Sequence, residues 1–458
     1  MKTKYSDLAE QVFNLPNAQF EVDSNKLIFN SIDINAIVKE HGTPLKIHYL
    51  PKISENINRA KTWFKNAIEQ NNYNGSYEYC YCTKSSHFSF VLKEALSNNI
   101  HIETSSAYDL NIVEALYKSG DLKKSSYVIC NGFKSPNYYD KMLDLIKKDY
   151  NILPVIDSFN EADILLHKVN KPTHVGIRIA SEEEPKFEFY TSRLGVGYKD
   201  VLSLFRNKIL PNESLNLKML HFFINTGIKD TAYYWNELNK CLSVYCKLKK
   251  YAPNLDSLNI GGGFPISKNL NKDFDYQEMV NLIIEQIKSK CEEEGVDTPN
   301  IFTEFGSFTV GESACNIFEI VAQKKQNEKE KWNLIDSSFM TNLPDTWAIN
   351  ERFILLPINR WNEEYERVLL GGLSCDSDDY YNSEQHTNAI FLPKFDKENP
   401  LYIGFFNTGA YQENIGGYGG IQHCLLPNPK HVIIKEKGKV EVFSEQQSPD
   451  QMLSLLGY

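Results

Sequence analysis

From about residue 44 to residue 304 the chain alternates between two kinds of segment, and this limits its folds more than any other feature. Short β-rich runs recur: PLKIHYL (44–50), SYEYCYC (76–82), SYVIC (126–130), ILPVID (152–157), HVGIRIA (174–180), LKMLHFFI (217–224), LDSLNI (255–260) and NIFTEF (300–305). Many are nearly all apolar, as strands covered on both faces should be. Between most of them lie segments of helical period. Ile53, Ile57, Ala60, Phe64, Ala67 and Ile68 fall at three- and four-residue spacing, which gives one apolar helix face. Ala232, Trp235, Leu238, Leu242 and Tyr245 repeat the pattern, as do Met279, Ile283, Ile284 and Ile287. Ser158-x-x-Glu161 and Asp275-x-x-Glu278 have the form of capped helix starts. Eight strand candidates separated by helices over about 260 residues fit a (β/α)8 TIM-like barrel spanning 44–304. A doubly wound open sheet is the rival arrangement.

After Glu304 the pattern changes. RFILLPI, ERVLLGG, NAIFLPKF, LYIGFF and KHVIIKEKGKVEVF are separated by Gly, Pro and Asn turns, which predicts a mostly antiparallel C-terminal β domain over 305–458. The N-terminal segment 1–43 contains KLIFNSIDI (26–34), which could add a strand to that domain. The whole chain therefore reads as α/β.

Net charge and cysteine usage exclude some functions. With 49 Lys+Arg against 59 Asp+Glu the chain carries a formal charge of -10, which disfavours nucleic acid as a partner but suits a small cationic substrate. No run of about 18 apolar residues predicts a membrane span. The start MKTKYSDLAEQ lacks the apolar stretch of a secretory signal, so a cytoplasmic protein is expected. Nine scattered cysteines fit reduced thiols better than a disulfide framework. Cys80 and Cys82 form a C-x-C pair with no second pair or His cluster to complete a tetrahedral site, so no metal site is expected; a magnesium requirement is left open.

Barrel enzymes place chemistry at the C-terminal ends of strands. Lys84, Glu103, Arg178, His221 to Thr226, Gly261-Gly262-Gly263 and Glu304 all fall at such ends. Singly, each has a bland explanation: a solvated lysine, a tight turn, a surface carboxylate. Together they suggest one chemistry. Glycines after an apolar strand let backbone N–H groups approach a phosphate. A lysine in the same mouth can form a Schiff base with an aldehyde. A carboxylate can keep a pyridine nitrogen protonated. These are the minimum requirements for pyridoxal phosphate.

The landmarks ICNGFK (129–134), LHFFINTG (220–227), NIGGGFP (259–265), TEFGSF (303–308), LPDTWAI (343–349), CDSDD (375–379) and GFFNTGAYQE (404–413) carry a family resemblance. The chain resembles the fold-type III, alanine-racemase-like barrel group of PLP-dependent amino-acid decarboxylases. Within that group it is most similar to the biosynthetic arginine decarboxylases. The resemblance implies a PLP-binding barrel with Lys84 as the Schiff-base lysine and Glu304 facing the pyridine nitrogen. It implies that Gly261, Gly262, Gly263, Thr226 and Tyr411 lie about the phosphate. Arg178 and Glu103 match polar residues near the phenolic oxygen, and His221 belongs to the segment that stacks on the ring. Cys375 matches the acid that protonates the carbanion, and Asp376 an acid that reads the far end of the substrate. Asp345, Asp378 and Asp379 could join it in an acidic pocket for a cation. In this family Cys375 and Asp376 come from the partner subunit, so a homodimer with shared active sites is implied.

The chain departs from the family pattern in three ways. Phe223 stands where a second histidine is usual, and Ser307 where an arginine binds phosphate. The chain is also shorter than usual for biosynthetic arginine decarboxylases. The expected activity is decarboxylation of a basic L-amino acid, foremost arginine to agmatine for polyamine synthesis. Ornithine, lysine, diaminopimelate and carboxynorspermidine or carboxyspermidine are the alternative substrates. A binding or regulatory relative without catalysis is the reading from another class.

Overall fold

The computed structural model describes residues 15–181, 192–267, 270, 274–327, 330–381, 390–415 and 417–458. The chain divides into two compact units: Ile53–Pro265 with Phe274–Thr309, and Met1–Lys52 with Ile266–Asp273 and Val310–Tyr458.

The first unit is a closed parallel barrel. Its strands are β1 (Tyr77–Cys82), β2 (His101–Thr104), β3 (Val128–Cys130), β4 (Ile152–Ile156), β5 (Thr173–Ala180), β6 (Leu215–Phe222), β7 (Ser257–Asn259) and β8 (Asn300–Phe305). Each pairs in parallel with the next. Closure comes from β8 against β1, with Glu304 opposite Cys80. A two-residue strand, Val196–Gly197, adds to β5 outside the ring. Helices connect the strands, and two of the three predicted period-3.6 faces bury closely as expected; on Ala232–Lys249 the face is shifted, with Ala232 exposed and Trp235 half-buried while Tyr234 and Cys241 join Leu238, Leu242 and Tyr245 inside. Ile53, Ile57, Ala60, Phe64 and Ala67 are all at 0% exposure on the helix Pro51–Gln70. Burying Ile53, Ile57 and Phe64 stabilises the fold by about 1.5–3 kcal/mol each, and the two alanines by less. Inside the ring, Cys80, Ile129, Leu153, Val155, Met219 and Phe302 form a fully apolar plug. Polar side chains are therefore pushed to the strand ends, where the chemistry lies. Ser158 and Asp275 cap their helices as expected, each accepting from the backbone N–H three residues on.

The barrel has the expected eight strands, but one differs from those predicted. PLKIHYL does not enter it: Leu45–Tyr49 pairs antiparallel with Ala314–Lys325 and parallel with Lys430–Ile434 in the other unit. The missing barrel member is β2. Three of its four residues, HIET, are polar, so the run lacks the apolar signature of a covered strand.

The second unit is built on a ten-stranded sheet in which antiparallel pairs predominate. Ala314–Lys325 is its spine, pairing antiparallel with Lys331–Ile335 and with Tyr402–Phe406. KLIFNSIDI adds no strand to that sheet. Lys26–Phe29 and Ile32–Asp33 form a separate three-stranded meander with Phe20–Asp23, and Ile34 opens a helix. Leu27, Phe29 and Ile34 join the core instead, packed with Leu45, Ile317, Trp361 and Phe406.

Candidate active site

In the barrel unit, side chains from five strand ends surround or approach one carboxylate on a sixth. Glu304, the penultimate residue of β8, is buried. Asn131, one residue past β3, donates from Nδ2 to its Oε1 at 2.8 Å. Asn259, the last residue of β7, donates to the same oxygen at 2.5 Å. The imidazole of His221 on β6 brings Nε2 to 3.3 Å from Oε2. Burial alone would raise this carboxyl. His221, the Lys84 ammonium and the Asn131 amide outweigh burial and hold the group at about 2. Glu304 is therefore an anion at neutral pH, fixed before any ligand arrives.

Lys84 lies on the turn Thr83–Ser85 that follows β1. Its Nζ is 2.5 Å from Glu103 Oε2 on β2, and Asn131 Nδ2 reaches Glu103 Oε1 at 3.1 Å. One amide thus ties both carboxylates into a single network. The Glu103 side chain is 1% exposed while that of Lys84 is 42% exposed, so the ammonium is reachable from the mouth although its counter-ion is not.

Beside this network the loops after β6 and β7 come together backbone to backbone. A Cβ on Gly262 would sit 2.1 Å from the Glu304 carbonyl oxygen, and one on Gly263 would sit 2.6 Å from Gly227 Cα. Gly263 also has φ +104, so only glycine fits. Ile228 N–H donates to Gly263 O at 3.0 Å, and Gly261 N–H donates to Asn259 Oδ1 at 2.9 Å. Among the described residues the N–H groups of Gly262 and Gly263 find no acceptor. That leaves convergent donors for an anion. Thr226 is half-buried in the same loop region. Among the described residues Arg178 Nε is buried without a hydrogen-bond partner, and its guanidinium carbon lies 5.8 Å from the Phe223 ring centroid. His221 Nδ1 is likewise buried and unpaired. Bare donors, an ionised carboxylate and a reachable lysine are the set that pyridoxal phosphate requires, so the residues fit that group. Ser307 is half-buried and opens the short helix Ser307–Val310.

Asn131 and Asn259 were not singled out from sequence, although both lie inside the quoted motifs ICNGFK and NIGGGFP. Their position at the strand ends was the available signal.

The remaining candidates belong to the other unit. Cys375 is exposed, with its Sγ 3.3 Å from Cys424 Sγ. Hydrogen bonding to Cys424 and the charge of that neighbour push the Cys375 thiol up. Asp376 Oδ2 is 3.7 Å from His423 Nε2, and Asp376 Oδ1 accepts from Asp378 N–H at 2.9 Å. Asp378 is exposed. Asp345 is buried and accepts from Gln412 Nε2 at 2.8 Å. Tyr411 is half-buried with φ +69, a left-handed backbone unusual for a tyrosine. Asp379, expected in the acidic pocket, is instead buried and committed to the fold: it accepts from Ser338 Oγ at 3.0 Å, Phe339 N–H at 2.8 Å and Ser374 N–H at 3.1 Å.

A parallel barrel with a lysine, an anion cradle and an ionised carboxylate at its mouth defines a pyridoxal-phosphate barrel enzyme. The family "Pyridoxal-dependent decarboxylase, pyridoxal binding domain" matches residues 53–311, more than half of the chain. The chain belongs to this family and is a PLP-dependent carboxy-lyase. It is 22% identical over 551 residues to the biosynthetic arginine decarboxylase of Citrifermentans bemidjiense, covering 93% of this chain and 84% of that one. Among solved structures, the biosynthetic arginine decarboxylase SpeA from Campylobacter jejuni superposes with TM-score 0.83 at 21% identity, covering 99% of this chain and 90% of the other. Diaminopimelate decarboxylase from M. jannaschii, solved with L-lysine, gives TM-score 0.79 at 19% identity over 95% of this chain and 96% of the other. Among the described residues no helix is long and apolar enough to cross a membrane.

Proposed function

We propose that this protein decarboxylates a basic L-amino acid, with arginine as substrate and agmatine as product. The single observation that carries the catalytic part is Glu304, an anion held by two amides and an imidazole beside a reachable lysine. Lys84 would attach pyridoxal phosphate covalently, Gly261 to Gly263 and Thr226 would take its phosphate, and Glu304 would take its ring nitrogen. Tyr411 and Arg178 supply further polar contacts. When bound, the cofactor supplies an electron sink for the pair left on Cα as carbon dioxide departs.

The chain's own residues do the rest. Glu304 stays ionised, so it stabilises positive charge on a nitrogen donor facing it. Asn131 and Asn259 stop the carboxylate from turning away. Phe223, in place of a histidine, offers a ring face for packing but no proton. Cys375 gives its S–H proton to Cα, replacing the lost carboxylate, and regains one from solvent. Its neighbour Cys424 favours the protonated thiol, which suits a proton donor. Asp345, Asp376 and Asp378 provide carboxylates for a cationic side chain; a planar guanidinium gains most from them because it binds bidentately. The two named arginine decarboxylases support arginine as the substrate, while the diaminopimelate decarboxylase keeps that substrate in the test panel. The active assembly is a homodimer in which Cys375 and Asp376 serve the partner's barrel.

The test is carbon dioxide release from a panel of L-arginine, L-ornithine, L-lysine, diaminopimelate and carboxynorspermidine. Arginine should give the highest kcat/KM. Release from another member with none from arginine would overturn the substrate, and release from none would favour a regulatory relative.

A further inference from the structure

Seven of the nine cysteines are buried; the two exposed ones, Cys375 and Cys424, meet each other. They come from segments 49 residues apart, with Sγ atoms at 3.3 Å. The residue before Cys424 is His423, and one ring nitrogen of it lies within 4.8 Å of both sulfurs. Asp376, the residue after Cys375, brings Oδ2 to 3.7 Å from His423 Nε2. Two thiols and an imidazole thus converge on one exposed spot, with a carboxylate beside the imidazole.

We infer that Cys375, His423 and Cys424 form a three-ligand binding site for a borderline-soft divalent ion of the zinc type, with the Asp376 carboxylate beside the imidazole and water taking the fourth position. In a tetrahedral zinc site, Zn–S of about 2.3 Å and Zn–N of about 2.0 Å separate the sulfurs by about 3.8 Å and sulfur from nitrogen by about 3.6 Å. The observed sulfurs need only widen by about half an ångström to meet that geometry. The backbone agrees. Cys424 and Leu425 sit at φ 57 and φ 53, two successive non-glycine residues in the left-handed region, which persist only where their surroundings demand it. A simple disulfide would need neither the imidazole nor the carboxylate. Magnesium is excluded as the ion, because hard cations take all-oxygen ligand sets.

The consequence rests on the reading of Cys375 as proton donor. A thiolate bound to metal has lost the proton that Cα must receive, so the ion is a reversible brake on decarboxylation.

The site and its consequence are tested separately on the full-length, cofactor-loaded protein. Zinc is titrated against a chromophoric chelator, thiols reactive toward a disulfide reagent are counted with and without zinc, and carbon dioxide release is followed in parallel. One zinc per chain should be retained, two thiols should become protected, and cobalt in place of zinc should give a thiolate-to-metal charge-transfer band. C424S and H423A should each weaken zinc binding by about 100-fold or more and relieve inhibition in proportion. Equal zinc affinity in C424S and the parent overturns the site. So does air oxidation of the two thiols to a disulfide, two hydrogens lighter, in protein that never retains zinc. Zinc retention with protected thiols and undiminished release upholds the site and removes Cys375 as proton donor.

Discussion

The two clusters of reactive side chains are built on opposite physical plans. At the barrel mouth, Glu304 and Glu103 are buried and every contact is a short hydrogen bond or ion pair from a strand end. In the second unit, Cys375, Asp376, His423 and Cys424 stand on turns, half or fully exposed, and make few hydrogen bonds. A buried charge must be satisfied in place or it destabilises the fold, so the barrel site is fixed in advance. Exposed groups are stabilised by water when unpaired, so the second cluster can exchange partners, whether proton, substrate or metal. Rigidity belongs where charge must be held, and adaptability where something must be delivered.

Substitutions can break this contrast, beginning with the largest effect. Lys84→Ala should remove the visible band of bound cofactor and lower kcat/KM by about 10⁴-fold or more, while far-ultraviolet circular dichroism stays unchanged. Unaltered absorbance would detach the cofactor from this lysine. Glu304→Gln keeps the shape and loses the charge. Its kcat should fall by about 10²–10³-fold with cofactor still bound, as measured by single-turnover decarboxylation.

Asp379→Ala and Asp378→Ala, adjacent in sequence, sharpen the comparison within the second unit. The first strips the acceptor from three backbone N–H groups and a hydroxyl, and should destabilise by about 1–3 kcal/mol in urea denaturation. The second removes an exposed side chain, and should change stability by less than about 0.5 kcal/mol while affecting KM for arginine. Acid stability tests the barrel side of the contrast. The folded Glu304 carboxyl lies near 2 against an ordinary 4.5, so its stabilisation is complete above pH 4.5 and is lost as pH falls through 2. Glu304→Gln should flatten that part of the acid-stability profile. An unchanged slope would mean that other carboxylates dominate it.

Much of the fold was legible because burial leaves a periodic signature. Seven of the eight predicted barrel runs are barrel strands, and the helix faces of Ile53 to Ala67 and Met279 to Ile287 are buried. The two exceptions have a common cause. HIET is a true barrel strand but looks polar, because it must present Glu103 at the mouth. PLKIHYL is a true strand, but apolar content does not say which sheet it joins. Asn131 and Asn259 were invisible as site residues, because an asparagine at a strand end gives the same signal whether it caps a turn or grips a carboxylate.

The sequence by itself determined the alternating elements, the lysine, the glycine run and the carboxylate, because each depends on local spacing and on which atoms a residue type carries. Tertiary structure alone decided that Glu304 is an anion held by Asn131, Asn259 and His221, and that Cys375 meets Cys424 and His423. Those relations join strand ends and turns that are tens to hundreds of residues apart. Only chain closure brings such groups within the few ångströms over which hydrogen bonds and coordination act.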